Sequence, residues 1–120
     1  MRVRTLPRLV AFMVVSGLLL AGCARNRASP PAAAKRAEAA LQARSQVLIE
    51  EGNAFYRVKD YANAAKRYGA AAVVKQDDPA AYFGLGMALT RLGRYDDARI
   101  AYARAHELAQ RARDSAAAGQ

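Results

Sequence analysis

Few residues in this chain are of the types that carry out covalent, acid–base or metal chemistry. Cys23 is the only cysteine and His106 the only histidine. A lone thiol forms neither an internal disulfide nor a cysteine-based metal site, so its chemistry is intermolecular, a covalent modification, or nothing. His106 has only Glu107 beside it and no second histidine, and it reads as a partly exposed helix residue rather than a ligand or base. Gly84 and Gly86 make a short Gly-x-Gly, yet no strand precedes them to form a phosphate loop, so they read as close-packing and groove positions. Asp77-Asp78 and Asp96-Asp97 stand beside expected helix starts, where negative charge offsets the helix dipole. No nucleophile, base and orienting group can be assembled. The expectation is a protein that is not an enzyme, with no catalytic, cofactor-binding or metal-binding residues and no cofactor.

The surroundings of Cys23 give its chemistry a direction. Arg2, Arg4 and Arg8 form a positive segment, and Leu9 to Leu20 is an apolar run of twelve residues, short of the roughly 20 needed to span a bilayer as a helix. This is the layout of a secretory signal peptide. Leu20-Ala21-Gly22-Cys23 then resembles a bacterial lipobox. The resemblance implies a diacylglyceryl thioether on Cys23, cleavage before it, and a mature lipoprotein held at the membrane by acyl chains, several of which anchor stably where one does not. Ala24 follows where lipoproteins retained at the inner membrane commonly carry Asp, which by resemblance favours the outer membrane, facing the periplasm. An uncleaved inner-membrane protein is the alternative.

Removal of residues 1–22 leaves 98 of 120 residues, enough for one small domain, and three arginines leave with them, lowering the net charge from +9 to +6. The positive charges are interspersed with acidic ones, which describes a solvated helical surface; nucleic acid is not an expected partner. Residues 23–30 contain Arg25, Arg27, Ser29 and Pro30 without apolar periodicity and read as a flexible membrane-proximal spacer. From Pro31 the composition turns to Ala, Lys, Arg, Glu, Leu and Gln, and Pro31 suits a first helical position.

The elements that must carry any function are set by a repeat. Gly52, Ala54, Tyr61, Ala64, Tyr68 and Ala71 recur 34 positions later as Gly86, Ala88, Tyr95, Ala98, Tyr102 and Ala105. Leu48, Gly52 and Phe55 fall on one helical face, as do Tyr82, Leu85, Gly86 and Leu89, while the tyrosines and alanines of each following segment are spaced 3, 4 and 3 apart. Small Gly52 with Ala64, and Gly86 with Ala98, let paired helices approach while the aromatics fill the flanking gaps. Lys59-Asp60 and Gly93-Arg94 make the turns within each pair, and Asp78-Pro79 supplies a cap and a first helical residue.

A helix-turn-helix period of 34 residues resembles the tetratricopeptide repeat family over Ser45 to Gln110. The resemblance implies an all-α fold: a short solenoid of two repeats (45–78 and 79–112) within a helical domain 31–118, with N- and C-terminal helical extensions. Glu51 stands at a usual Leu position, Leu48 and Tyr82 replace the frequent Trp, and Gln76 and Gln110 stand where Pro often ends a repeat. Two repeats are fewer than the three usually needed, so the open ends need cover. Residues 31–44 and the tail after Gln110 are candidates; a homodimer or another partner is the other solution.

In this family the first helices of the repeats line a concave groove. The matching positions include Gln46, Ile49, Glu50, Asn53, Tyr56 and Arg57, then Ala80, Phe83, Gly84, Met87, Thr90 and Arg91. Asn53, Tyr56, Arg57, Phe83, Met87 and Arg91 are the expected partner-binding residues. Tyr56, Phe83 and Met87 suit apolar side chains of a peptide or helix, and Arg57 and Arg91 suit acidic neighbours. Ile49 stands where the carboxylate-clamp type has Lys, and Ile49 and Phe83 suit packing under the N-terminal helix equally well. The leading expectation is a lipid-anchored protein–protein interaction module, an adaptor or assembly factor of pilotin type for an envelope machine such as a pilus or secretion system. The alternative is a basic helical module, with Arg57, Lys59, Arg91 and Arg94 on one face, that binds an anionic envelope polymer or lipid.

Overall fold

The computed structural model describes residues 30–119. The expected signal peptide (1–22), Cys23 and most of the expected spacer lie outside the described residues. Four helices follow one another: α1 (Pro30–Arg57), α2 (Tyr61–Val74), α3 (Pro79–Arg91) and α4 (Tyr95–Ala118). Among the described residues there is no strand, and no helix is long and apolar enough to cross a membrane. The all-α, two-pair architecture read from the repeat is the architecture observed.

The helix limits follow from local chemistry. Lys59 at φ 63° and Gly93 at φ 75° take the left-handed conformation that reverses the chain within each pair. Asp60 caps α2 by accepting from the Asn63 backbone N–H at 3.2 Å and from Asn63 Nδ2 at 2.7 Å. These bonds hold its carboxyl below the ordinary aspartate range. Asp78 caps α3 by accepting from the Ala80 backbone N–H at 3.0 Å, with Pro79 next in line. Arg94, ahead of α4, makes no side-chain cap; Asp96 and Asp97 in the first turn complement the dipole instead.

The core is built mainly from alanine. Ala64, Ala71, Ala72, Ala81 and Ala88 join Ile49 and Tyr68 in one cluster, and Leu89, Ala98 and Ala101 form a second. Leu85 packs against both clusters and so ties the two repeats together. Alanines bury little apolar area each, so cohesion depends on how closely the backbones approach. Tyr68 shows how. Its ring, 1% exposed, lies against both Gly52 and Gly84, each of which approaches Cδ1 and Cε1. A Cβ on Gly52 would sit 2.8 Å from the ring, and one on Gly84 would run into Cδ1 and Cε1 outright. Tyr102 repeats the first contact with Gly86, also at 2.8 Å for an added Cβ. The close approach read from Gly52 and Gly86 is therefore present, and Gly84 adds a contact between repeats.

Polar links fix the stacking. Buried Ser45 donates from Oγ to Asp78 Oδ2 at 3.1 Å. Lys75 bridges Asp77 at 2.6 Å and Glu38 at 2.5 Å, which raises its pKa, Asp77 being the larger cause, and lowers that of Asp77. Residues 31–44 are the N-terminal part of α1 and, apart from half-buried Ala32, are exposed; the tail from Gln110 through Gly119 is exposed throughout. The extensions are helical as expected, yet neither folds back over an end of the stack.

Candidate functional site

The expected groove residues lie on two parallel stripes. Asn53 and Arg57 follow each other at one-turn spacing on α1, and Phe83, Met87 and Arg91 do so on α3. Tyr68 reaches between them from α2, its hydroxyl donating to Asn53 Oδ1 at 2.6 Å. Burial, and next the neighbouring Tyr56, push the Tyr68 hydroxyl above the ordinary tyrosine range, while Arg57 opposes part of that rise. Asn53 thus spends its carbonyl on the protein, leaving the amide hydrogens as its contribution to any ligand.

Tyr56 and Arg91 are brought into direct contact. Arg91 Nε donates to the Tyr56 hydroxyl at 3.1 Å, and its guanidinium lies 5.8 Å from the centroid of the Tyr61 ring. Tyr56 meets Tyr61 edge to face at 5.1 Å between centroids. The bond to Tyr56 raises the Arg91 pKa, so the group is a fixed positive charge. Tyr61 had no place among the expected groove residues. Its repeat at Tyr95 gave it the appearance of a packing residue only, and what sets it apart is Arg91, arriving from the other repeat.

The remaining positions separate. Ile49 is 7% exposed and belongs to the core, so it packs within the protein rather than lining the groove. Phe83, its counterpart in the second repeat, is 53% exposed and turns its ring onto Tyr102 at 5.5 Å, on the end of the stack about two turns from Arg91. Met87 is half-buried between them. Arg57 is exposed and forms no ion pair among the described residues.

A second concavity escaped the sequence reading. A cavity of about 780 Å³ lies between α2 and α4, floored by Tyr82, Leu85 and Leu89 of α3 and edged by Leu92 and exposed Ile100. Lys66, Arg94 and Arg104 stand around it; Arg94 pairs with Asp97 at 2.7 Å and Arg104 with Glu107 at 2.8 Å. Leu92 and Ile100 were the available signal, as large apolar residues off the repeat's inward face. Among the described residues no three of His, Cys, Asp and Glu converge as a metal site. His106 is exposed on α4.

Comparison with known proteins agrees with the geometry. A family model described as tetratricopeptide repeat matches residues 49–118. No curated protein and no solved structure matches the chain.

Proposed function

We propose that this chain, which belongs to the tetratricopeptide repeat family, works as a lipid-anchored adaptor that holds a partner protein at the bacterial outer membrane on the periplasmic side. Tetratricopeptide repeats are protein–protein interaction modules, and a module of two repeats has a small contact surface. Anchoring through Cys23 raises its effective concentration at the membrane, so modest groove affinity suffices for assembling an envelope machine such as a pilus or secretion apparatus. The anchor rests on Leu20-Ala21-Gly22-Cys23 after a signal-type segment.

The observation that carries the groove is the fixed polar arrangement across it. Arg91 is held by Tyr56 and Tyr61, Asn53 is oriented by Tyr68, and Arg57 forms no ion pair among the described residues. Such preorganised groups suit an extended or helical segment with an acidic side chain and an apolar one that reaches Met87. Pull-down from solubilised membranes tests this. One protein should be recovered by the wild type and lost on Arg57→Glu plus Met87→Ala; undiminished recovery would overturn the groove assignment.

The anionic-polymer reading has less support. Of Arg57, Lys59, Arg91 and Arg94, Arg91 is engaged by Tyr56 and Arg94 by Asp97. Association with anionic vesicles that falls steeply with salt and survives Met87→Ala would favour it over a groove partner. Mass spectrometry of the mature protein tests the anchor: an N-terminal diacylglyceryl-Cys23 supports it, and a mass that includes residues 1–22 refutes it.

A further inference from the structure

The offset of 34 residues allows the two repeats to be compared position by position. In repeat 1, the face made by Ile49, Tyr68, Ala71 and Ala72 is buried, because α3 lies across it with Ala81, Gly84 and Ala88 turned inward. The corresponding residues of repeat 2 are Phe83, Tyr102, Ala105 and His106; Ala105 is buried and Tyr102 half-buried, but Phe83 and His106 are exposed where Ile49 and Ala72 are buried. A cavity of about 640 Å³ opens there, bounded also by Ala109 and Arg113. Phe83 is 53% exposed where Ile49 is 7% exposed.

We propose that this open end of repeat 2 docks a helix from a partner protein, one that begins with an acidic turn and carries glycine where it crosses Tyr102. The site is separate from the groove and does not rest on it. The chain supplies the template for the occupant. On repeat 1 the covering helix crosses Tyr68 at Gly84, where a Cβ would strike the ring, and it enters through Asp77 and Asp78, which meet Lys75 and Ser45. On repeat 2 the counterparts of Lys75 and Ser45 are Ala109 and Pro79, which offer no such partner. The cation stands instead at Arg113, one turn beyond Ala109, bonded to Gln110 Oε1 at 3.0 Å and to no carboxylate among the described residues. No carboxylate lines the cavity, so its charge complement is an acidic segment.

A second copy of the chain fits poorly. Stacked head to tail in the geometry of α3 on repeat 1, it would present Glu50 where Gly84 must stand. Paired face to face, it would set Arg113 and His106 of both copies on one apolar surface without a carboxylate.

A labelled synthetic peptide with the sequence of residues 76–92 serves as the probe, titrated into the full chain and followed by fluorescence polarisation. Saturable binding is expected, weakened about tenfold or more when the peptide carries Gly84→Leu, because the crossing point has no room for a side chain. Phe83→Glu or Arg113→Glu in the protein should weaken it likewise, while Arg57→Glu in the groove leaves it unchanged. The Phe83 side chain is largely exposed and Arg113 is wholly on the surface, so circular dichroism of these variants should match the wild type. No binding at millimolar peptide, equal binding of the Gly84→Leu peptide, or indifference to both protein variants, as displacement of α3 itself would give, overturns the proposal. So does sedimentation showing a dimer that Phe83→Glu dissociates.

Discussion

Gly84→Ala should destabilise the protein although alanine is the better helix former. In an open helix interior this exchange gains about 0.5–1 kcal/mol. Gly69, on α2, has nothing within 4 Å of an added Cβ, and Gly69→Ala should show that gain. At Gly84 the new methyl group runs into Cδ1 and Cε1 of Tyr68. That ring has little freedom to yield: it is 1% exposed, packed close to Gly52 as well, and tethered by its hydroxyl to Asn53 at 2.6 Å. Overpacking a tight site costs ~1–3 kcal/mol, and the closeness of this contact places the cost towards the upper part of that range. Less the propensity gain, the net loss is about 1–2 kcal/mol. For a domain of this size that lowers Tm by roughly 4–8 °C per kcal/mol. Urea and thermal unfolding followed by circular dichroism measure both variants side by side. A Gly84→Ala protein as stable as Gly69→Ala would refute the claim that the Tyr68–Gly84 contact fixes the packing of one repeat on the other.

Three further outcomes follow from the polar links. Asp78→Ala removes the α3 cap and the partner of buried Ser45, and should cost ~1–3 kcal/mol in urea unfolding, against little change for exposed Asp114→Ala. Asp77 has its pKa lowered from 3.8 and Lys75 has its pKa raised from 10.5. The Asp77 contribution is therefore complete above pH 3.8 and lost as pH falls through the folded value, and the Lys75 contribution is complete below pH 10.5 and lost as pH rises through its own. Lys75→Gln should flatten both limbs of a Tm–pH curve, and curves parallel to the wild type would count against the bridge. Tyr68, with its pKa raised from 10.0 by burial, should ionise above the ordinary tyrosine range in an alkaline absorbance titration, and its contribution should be lost as pH rises. Tyr68→Phe should delete that late step and lower stability by about 1 kcal/mol through loss of the bond to Asn53.

The sequence by itself determined the helices, their turns and their pairing. Apolar spacing, caps and turn residues are local signals, so α2 and α3 could be delimited from Asp60, Asp78-Pro79 and Gly93 before any contact was known, and the offset of 34 residues identified the family. Tertiary structure decided which side of each helix meets another. Ile49 and Phe83 occupy the same repeat position, yet one is core and the other is exposed, because among the described residues only repeat 1 has a following helix laid across it. Tyr61 and Tyr95 are likewise a repeated pair, and among the described residues only Tyr61 lies beneath an arginine from the neighbouring repeat. The cavity between α2 and α4 arises from the spacing of helices that are distant in sequence. Periodicity is a property of one helix at a time, whereas burial and charge pairing depend on what the fold places opposite, and for this chain that difference separates the readable scaffold from the surfaces proposed to bind.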